Sequence, residues 1–172
     1  MLDRDSLEAM FGTEEALGVY YADPCNPHNT ETDDFVAMLP GVGQMGTCTR
    51  CAIYVLARLL SVGASFEDVQ LKGFFREDNP TASHTALESV DGHDFAVLSG
   101  RYVIDPWISV YSGYENRTVY DLCDPDDAPK ILEIYGDPLA WSDVDRDMVL
   151  LLIDDAKKHQ GVAENTPKKL KL

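Results

Sequence analysis

The sequence predicts a domain of the α+β class, and two segments of the 172-residue chain carry this prediction. From Cys48 to Val62, apolar side chains recur at i, i+3, i+4 and i+7, which is typical of the buried face of a helix. From His93 to Ile104, two apolar runs flank a Ser-Gly pair, which is typical of a β-hairpin. A mostly buried helix and a short hairpin indicate that the helix packs on a small antiparallel sheet.

The helix is the clearest element of the sequence. Its apolar stripe consists of Ala52, Val55, Leu56 and Leu59. The segment GVGQMGT at 41–47 precedes it, and its three glycines predict a flexible turn. Gly63 follows the last turn, where glycine commonly ends a helix.

The hairpin is predicted from strands at 93–98 and 101–104 that a two-residue turn, Ser99-Gly100, connects. His93 and Asp105 then lie near the same end of the hairpin, where an offset between the strands brings them within reach of each other. Two further helices are predicted at the ends of the chain. One lies near the N-terminus, capped by Ser6, and the other runs from Ser142 to about Lys158.

Length and composition favour one folded domain. Apolar residues make up 45% and charged residues 26% of the chain, which argues against disorder over most of its length. No apolar run reaches the roughly 18 residues of a membrane span, and the acidic start, MLDRDSLEAMFG, lacks the apolar core of a signal peptide. We therefore expect a domain at 1–160, a flexible basic tail at 161–172, and a location in the cytoplasm or secretion by a route without a signal peptide.

The net charge of −16 bears on the partners. The last sixteen residues hold five Lys and one Glu, so the remainder of the chain carries −20. Such a body repels phosphate backbones, and we expect neither nucleic acid nor a membrane as a partner. The four cysteines, Cys25, Cys48, Cys51 and Cys123, are expected as thiols, because a chain of this size needs no disulfides.

Three residues form a candidate catalytic constellation: Cys48 opens the buried helix, His93 begins a strand, and Asp105 ends the strand paired with it. The positive end of a helix favours a nucleophilic thiolate, and backbone N–H groups in the preceding turn can hold an oxyanion. A histidine on a strand is held rigidly enough to act as general base and then as acid. A carboxylate beside the histidine fixes its tautomer and stabilises its charged form.

At these residues the chain resembles a known family. The segments GTCTRCAIYVLARLL and DGHDFAVLSGRYVIDPW resemble those of bacterial papain-fold toxins and effector protein-glutamine deamidases, the OspI-like cysteine deamidases. The resemblance covers roughly residues 44–107. It implies that Cys48 is the nucleophile, His93 the base and Asp105 the residue that orients the base. Two positions depart from the pattern, because Thr47 stands where those proteins often have Asn, and Trp107 stands where a Gln sometimes follows the Asp.

The resemblance implies a papain-like fold and a thiol hydrolase without a cofactor or a metal. It favours a protein-glutamine deamidase that acts as an effector or toxin, on a protein of a host or a competitor. Papain-like enzymes place a Gln shortly before the Cys, so Gln44 is a candidate donor to the oxyanion. A cysteine protease or a transglutaminase-like acyltransferase on the same fold shares the chemistry, and no residue of the sequence decides among the three.

Two alternatives from other classes remain open. Cys25, His28, Cys48 and Cys51 form two pairs with the spacing of zinc ligands, separated by 19 residues. If Cys51 binds no metal, it is instead a packed thiol beneath the site, one helical turn from Cys48. The acidic body also suits a non-catalytic protein that binds a basic partner.

Overall fold

The computed structural model describes residues 2–12, 47–88, 90–111, 117–145 and 151. These ranges hold three α-helices and five strands, so the predicted α+β class is confirmed. The helices are α1 (Arg4–Phe11), α2 (Thr47–Ser61) and α3 (Ala128–Tyr135). The strands are β1 (Val69–Phe75), β2 (Gly92–Leu98), β3 (Tyr102–Ile104), β4 (Val119–Asp121) and β5 (Ser142–Asp143).

The five strands form one antiparallel sheet in the order β4-β3-β2-β1-β5. The predicted hairpin lies at its centre as β2 and β3. Helix α2 packs chiefly against β2 and β1, as the sequence predicts. Its four stripe residues are at most 1% exposed, and the helix ends at Ser61, before Gly63 with a φ of +95°. No helix within the described ranges combines the length and the apolar character that a membrane span requires.

Helix α1 docks onto β4 through polar contacts as well as apolar ones. Leu7 and Phe11 are buried, and the Glu8 carboxylate accepts hydrogen bonds from the Thr118 hydroxyl and the Val119 backbone N–H. The N-cap is Asp3, whose carboxylate accepts from the Ser6 N–H, so the prediction of Ser6 as the cap is wrong. An aspartate carboxylate at this position satisfies the helix N–H groups and also interacts favourably with the helix dipole.

The predicted final helix does not begin at Ser142. Ser142 and Asp143 form β5, where Ser142 pairs with Gly73 and Asp143 pairs with Lys72. The side chains of Lys72 and Asp143 also form a salt bridge at 2.7 Å. Apolar spacing alone missed this strand, because a two-residue edge strand is specified by its partner rather than by its own pattern. Val144 and Asp145, which follow, are not helical either, whereas Leu151 has helical backbone; the other residues of the predicted helix lie outside the described ranges.

Because Gly73 has no side chain, it leaves room for the side chain of Asp94, which lies opposite it in β2. A Cβ at this position would overlap the Oδ1 atom of Asp94, whose other oxygen accepts a 2.5 Å hydrogen bond from Thr49 Oγ1. We expect Gly73→Ala to lower the free energy of unfolding by about 1–2 kcal/mol, because it displaces the carboxylate from Thr49. Urea denaturation measures this cost. Introduced together with Asp94→Ala, the same substitution should cost much less, and an equal cost in both backgrounds would contradict the explanation.

Candidate functional site

His93 and Asp105 form a buried pair at one end of the central hairpin. The His93 Nε2 and Asp105 Oδ2 atoms are 2.6 Å apart, and both side chains are at most 1% exposed. The predicted contact between these two residues is therefore present in the structure. A hydrogen bond this short between buried groups is typical of a pair in which one or both partners are charged.

The pairing register of β2 and β3 determines that the two side chains share a face. Leu98 pairs with Tyr102, so three residues connect the strands rather than the predicted two. Continuing this register aligns Asp105 with Phe95, and His93 lies two positions further along β2. Side chains two positions apart in a strand point to the same face, and such diagonal neighbours are within reach of long side chains. The one extra residue in the turn therefore produces the expected offset between the strands, which brings His93 and Asp105 within reach of each other.

Asp105 uses both carboxylate oxygens. Oδ1 accepts a 3.0 Å hydrogen bond from the backbone N–H of Trp107, which begins the π-helical turn Trp107–Tyr111. Oδ2 accepts from His93 and from the hydroxyl of Tyr135, which is 3.2 Å away. The carboxylate therefore has three donors from three separate elements of the fold, and these contacts fix its orientation.

Aromatic side chains surround the imidazole of His93. The ring centroid of Trp107 is 4.8 Å away and that of Phe95 is 5.9 Å away. The rings of Tyr135 and Phe74 follow at 6.1 and 6.3 Å. These rings shield the His93–Asp105 pair from water, which strengthens the electrostatic interaction between them.

Cys48 is the second residue of α2 and lies at the edge of the core. It is 9% exposed, whereas Cys51, one turn further along the helix, is fully buried. On His93, the buried Nδ1 atom makes no hydrogen bond of good geometry with the described residues. The Cys48 thiol is nonetheless close enough to contribute to the pKa of His93. Contacts between catalytic groups are often long or poorly aligned before a substrate binds.

The pKa of His93 reflects these neighbours. Burial by itself lowers the pKa, but the charge and hydrogen bond of Asp105, with a smaller contribution from Cys48, raise it to about 10. At neutral pH the ring is therefore an imidazolium, held by a carboxylate on one side and adjacent to a thiol on the other. Such an arrangement supplies a proton donor next to the thiol.

A pH dependence of stability follows from the raised pKa. Unfolded His93 titrates near pH 6.5, so the folded chain binds more protons than the unfolded chain between about pH 6.5 and 10. The stabilisation from the pair is complete below this interval, and it is lost as the pH rises through about 10. We expect the free energy of unfolding of the wild type to fall across this interval more steeply than that of Asp105→Asn, which lacks the carboxylate. Urea denaturation at a series of pH values measures both slopes, and equal slopes would contradict the assignment.

Asp94, next to His93 in the sequence, is engaged elsewhere. Its carboxylate accepts from Thr49 Oγ1, and Thr49 follows Cys48 in α2. This contact ties the first turn of the helix to the strand that carries His93. It leaves Asp105 as the carboxylate paired with the imidazole.

Three other predicted site residues, Gln44, Cys25 and His28, lie outside the described residues. Cys48 and Cys51, the two remaining candidates for zinc binding, are in the thiol form, with no disulfide between them. The part of the chain that the structure describes contains no group of three or more His, Cys, Asp or Glu side chains suited to a metal ion.

Tyr135 is a residue of the site that the sequence analysis does not single out, because no helix is predicted over most of α3. A signal was present: Ile131, Ile134 and Tyr135 have helical spacing, and all three are buried. Its contact with Asp105 depends on how α3 packs beside the sheet, which no local pattern shows.

Comparisons with protein-family models, with curated proteins and with solved structures give no match for this chain.

Proposed function

We propose that the protein is a thiol hydrolase in which Cys48, His93 and Asp105 act as nucleophile, general acid–base and orienting carboxylate. The observation that carries this proposal is the buried His93, which Asp105 holds at 2.6 Å through Nε2. Nδ1 remains available toward Cys48, which contributes to the raised pKa of the ring. A histidine in a purely structural role normally has both ring nitrogens satisfied when it is buried.

The reaction begins with attack of the Cys48 thiolate on the carbonyl carbon of a carboxamide. The carbonyl π electrons move to oxygen, and the backbone N–H of Cys48 stabilises the resulting oxyanion, because the first N–H groups of a helix have no acceptor within it. His93 donates its Nδ1 proton to the departing nitrogen as the C–N bond breaks. The products of this half-reaction are ammonia and a thioester.

Water completes the cycle. The neutral imidazole of His93 takes a proton from water, whose oxygen attacks the thioester carbon. A second oxyanion collapses, the C–S bond breaks, and the thiolate returns beside the imidazolium. Overall, one amide and one water give one carboxylic acid and one ammonia. Asp105 stabilises the imidazolium in both half-reactions without accepting its proton.

A papain-like arrangement of the fold is part of this proposal. It is supported by a helix that carries the cysteine as its second residue and packs on an antiparallel sheet, in which one strand carries the histidine and the aspartate directly follows the adjacent strand.

The substrate class rests on the resemblance of the segments around Cys48 and His93 to those of the effector deamidases. We propose that the acyl donor is a glutamine side chain of a protein from a host or a competitor. Proteolysis and transamidation use the same half-reactions with a different leaving group or acceptor. All three use the same triad, so their separation requires identification of the products.

The first experiment tests the triad without a substrate. Iodoacetamide at slightly acidic to neutral pH, followed by peptide mass spectrometry, gives the alkylation rate of each cysteine. Cys48 should react fastest, because it lies beside an imidazolium. Cys123 is exposed and distant in sequence from Cys48, so its alkylation rate is that of an ordinary accessible thiol. Equal rates at Cys48 and Cys123 would refute the triad and favour a non-catalytic binding protein.

The second experiment identifies the reaction. Candidate target proteins are incubated with the wild type or with Cys48→Ala, and their intact masses are measured. Deamidation converts an amide to an acid without chain cleavage, proteolysis shortens the chain, and transamidation adds the mass of an amine. The zinc content of the purified full-length protein should be measured as well. Stoichiometric zinc that is lost in Cys48→Ala would favour the zinc-site alternative over the hydrolase.

A further inference from the structure

Tyr135 is anchored more firmly than its place at the end of a short helix requires. Its backbone carbonyl accepts hydrogen bonds from Asn79 Nδ2 at 2.9 Å and from Trp141 Nε1 at 2.7 Å. Gly136, which follows it, has a φ of +65°, and a Cβ there would overlap the Asn79 amide. The chain therefore uses two side-chain donors and a glycine to place one tyrosine.

The ring of Tyr135 is also held on more than one side. It is fully buried, with the ring centroid of Phe95 at 4.7 Å and that of Tyr120 at 5.8 Å. It lies nearly parallel to the imidazole of His93, with 21° between the planes. These contacts direct the hydroxyl to Asp105 Oδ2, the same oxygen that pairs with His93.

We propose that Tyr135 is a positioning residue for the orienting carboxylate. This inference rests on the proposed function, and it adds a residue that touches neither the substrate nor the reacting atoms. The terminal torsion of an aspartate side chain is broad, so a single contact does not fix it. The Trp107 N–H restrains Oδ1, and the Tyr135 hydroxyl restrains Oδ2 from a direction other than that of His93. The carboxylate thereby keeps Oδ2 directed at the imidazole when the charge on His93 changes during the reaction.

Tyr135→Phe tests this role, because it removes the hydroxyl and keeps the ring. The readout is the rate of Cys48 alkylation by iodoacetamide across a pH series, which requires no substrate. We expect the rate at neutral pH to fall about two- to ten-fold, which corresponds to the usual net contribution of one hydrogen bond. We also expect the pH of half-maximal rate to rise, because an imidazolium that the carboxylate orients less well stabilises the Cys48 thiolate less.

Tyr120→Phe is the matched control. It removes a second buried phenol hydroxyl from the same aromatic cluster, and that hydroxyl donates to the Arg117 carbonyl rather than to Asp105. Its alkylation profile should match the wild type, even where its stability falls. Trp141→Phe tests the same role in a second way, because it removes a donor to the Tyr135 carbonyl and keeps the Tyr135 hydroxyl. It should shift the alkylation profile in the same direction as Tyr135→Phe, but by less.

The decisive comparison is made in the Asp105→Ala background. If Tyr135 acts through Asp105, Tyr135→Phe causes no further loss of Cys48 reactivity once the carboxylate is gone. An equal loss in both backgrounds, or a wild-type profile for Tyr135→Phe, would overturn the inference. Failure of the proposed function looks different, because then Cys48 of the wild type reacts no faster than Cys123.

Discussion

Cys48→Ala is expected to reduce turnover by about 10⁶-fold, because no other group of the site can form the thioester. Its effect on stability should be small, about 1 kcal/mol or less, since it removes one sulfur atom at the edge of the core. Product analysis of the target protein gives the activity, and urea denaturation gives the free energy of unfolding.

Cys51→Ala supplies the matched control for this prediction. The same substitution, one helical turn away, removes a sulfur atom from a fully buried position and leaves a cavity. We expect it to cost more stability than Cys48→Ala and to retain at least about a tenth of the activity. Loss of activity in Cys51→Ala with retention in Cys48→Ala would exchange the roles of the two thiols.

His93→Ala is expected to be nearly as damaging to activity, by about 10⁵- to 10⁶-fold, because both half-reactions need the imidazole. It should also destabilise the fold by about 3–5 kcal/mol, since it leaves the buried Asp105 carboxylate without its cation. His84→Ala is the matched control at a second buried histidine, whose Nδ1 accepts from the Ala86 N–H. That variant should lose some stability and keep its activity.

Asp105→Ala should retain more activity than His93→Ala, by about ten- to a hundred-fold, because the orientation of the imidazole is partly replaceable. Asp94→Ala tests the competing carboxylate. It breaks the hydrogen bond with Thr49 at the start of α2, and we expect a loss of stability with most activity kept. Wild-type activity in Asp105→Ala beside an inactive Asp94→Ala would show that the wrong aspartate has been assigned to the imidazole.

The elements that the sequence predicts well are those whose burial follows a local period. Helix α2 has an uninterrupted apolar stripe and a glycine at its end, and both features are present in the structure. Strand β1 also had a readable pattern, because Val69 and Leu71 are buried while Gln70 between them is exposed. That alternation is short, and Gly73-Phe74-Phe75 obscures it, so no strand is predicted there.

The features that the sequence does not predict are those that depend on pairing between distant segments. Strand β5 forms because Ser142 and Asp143 pair with β1. The Tyr135 hydroxyl reaches Asp105 because α3 packs beside the sheet. The predicted hairpin brought His93 and Asp105 close together. The length of the turn, which sets the pairing register of the two strands, is seen only in the structure. Loop conformation is decided by backbone angles such as the φ of +53° at Ser99, which a non-glycine residue rarely adopts.

The three-residue connection between β2 and β3 makes the site sensitive to deletions in a way that substitutions do not reveal. With one residue fewer and a three-residue connection kept, Leu98 would pair with Val103, and Asp105 would align with Ala96 instead of Phe95. The carboxylate would then point through the sheet, away from the imidazole. A lineage that lost one codon here would keep every residue of the triad and lose the geometry that joins them. Among related chains, the number of residues between the histidine and the aspartate is therefore as informative as their identity.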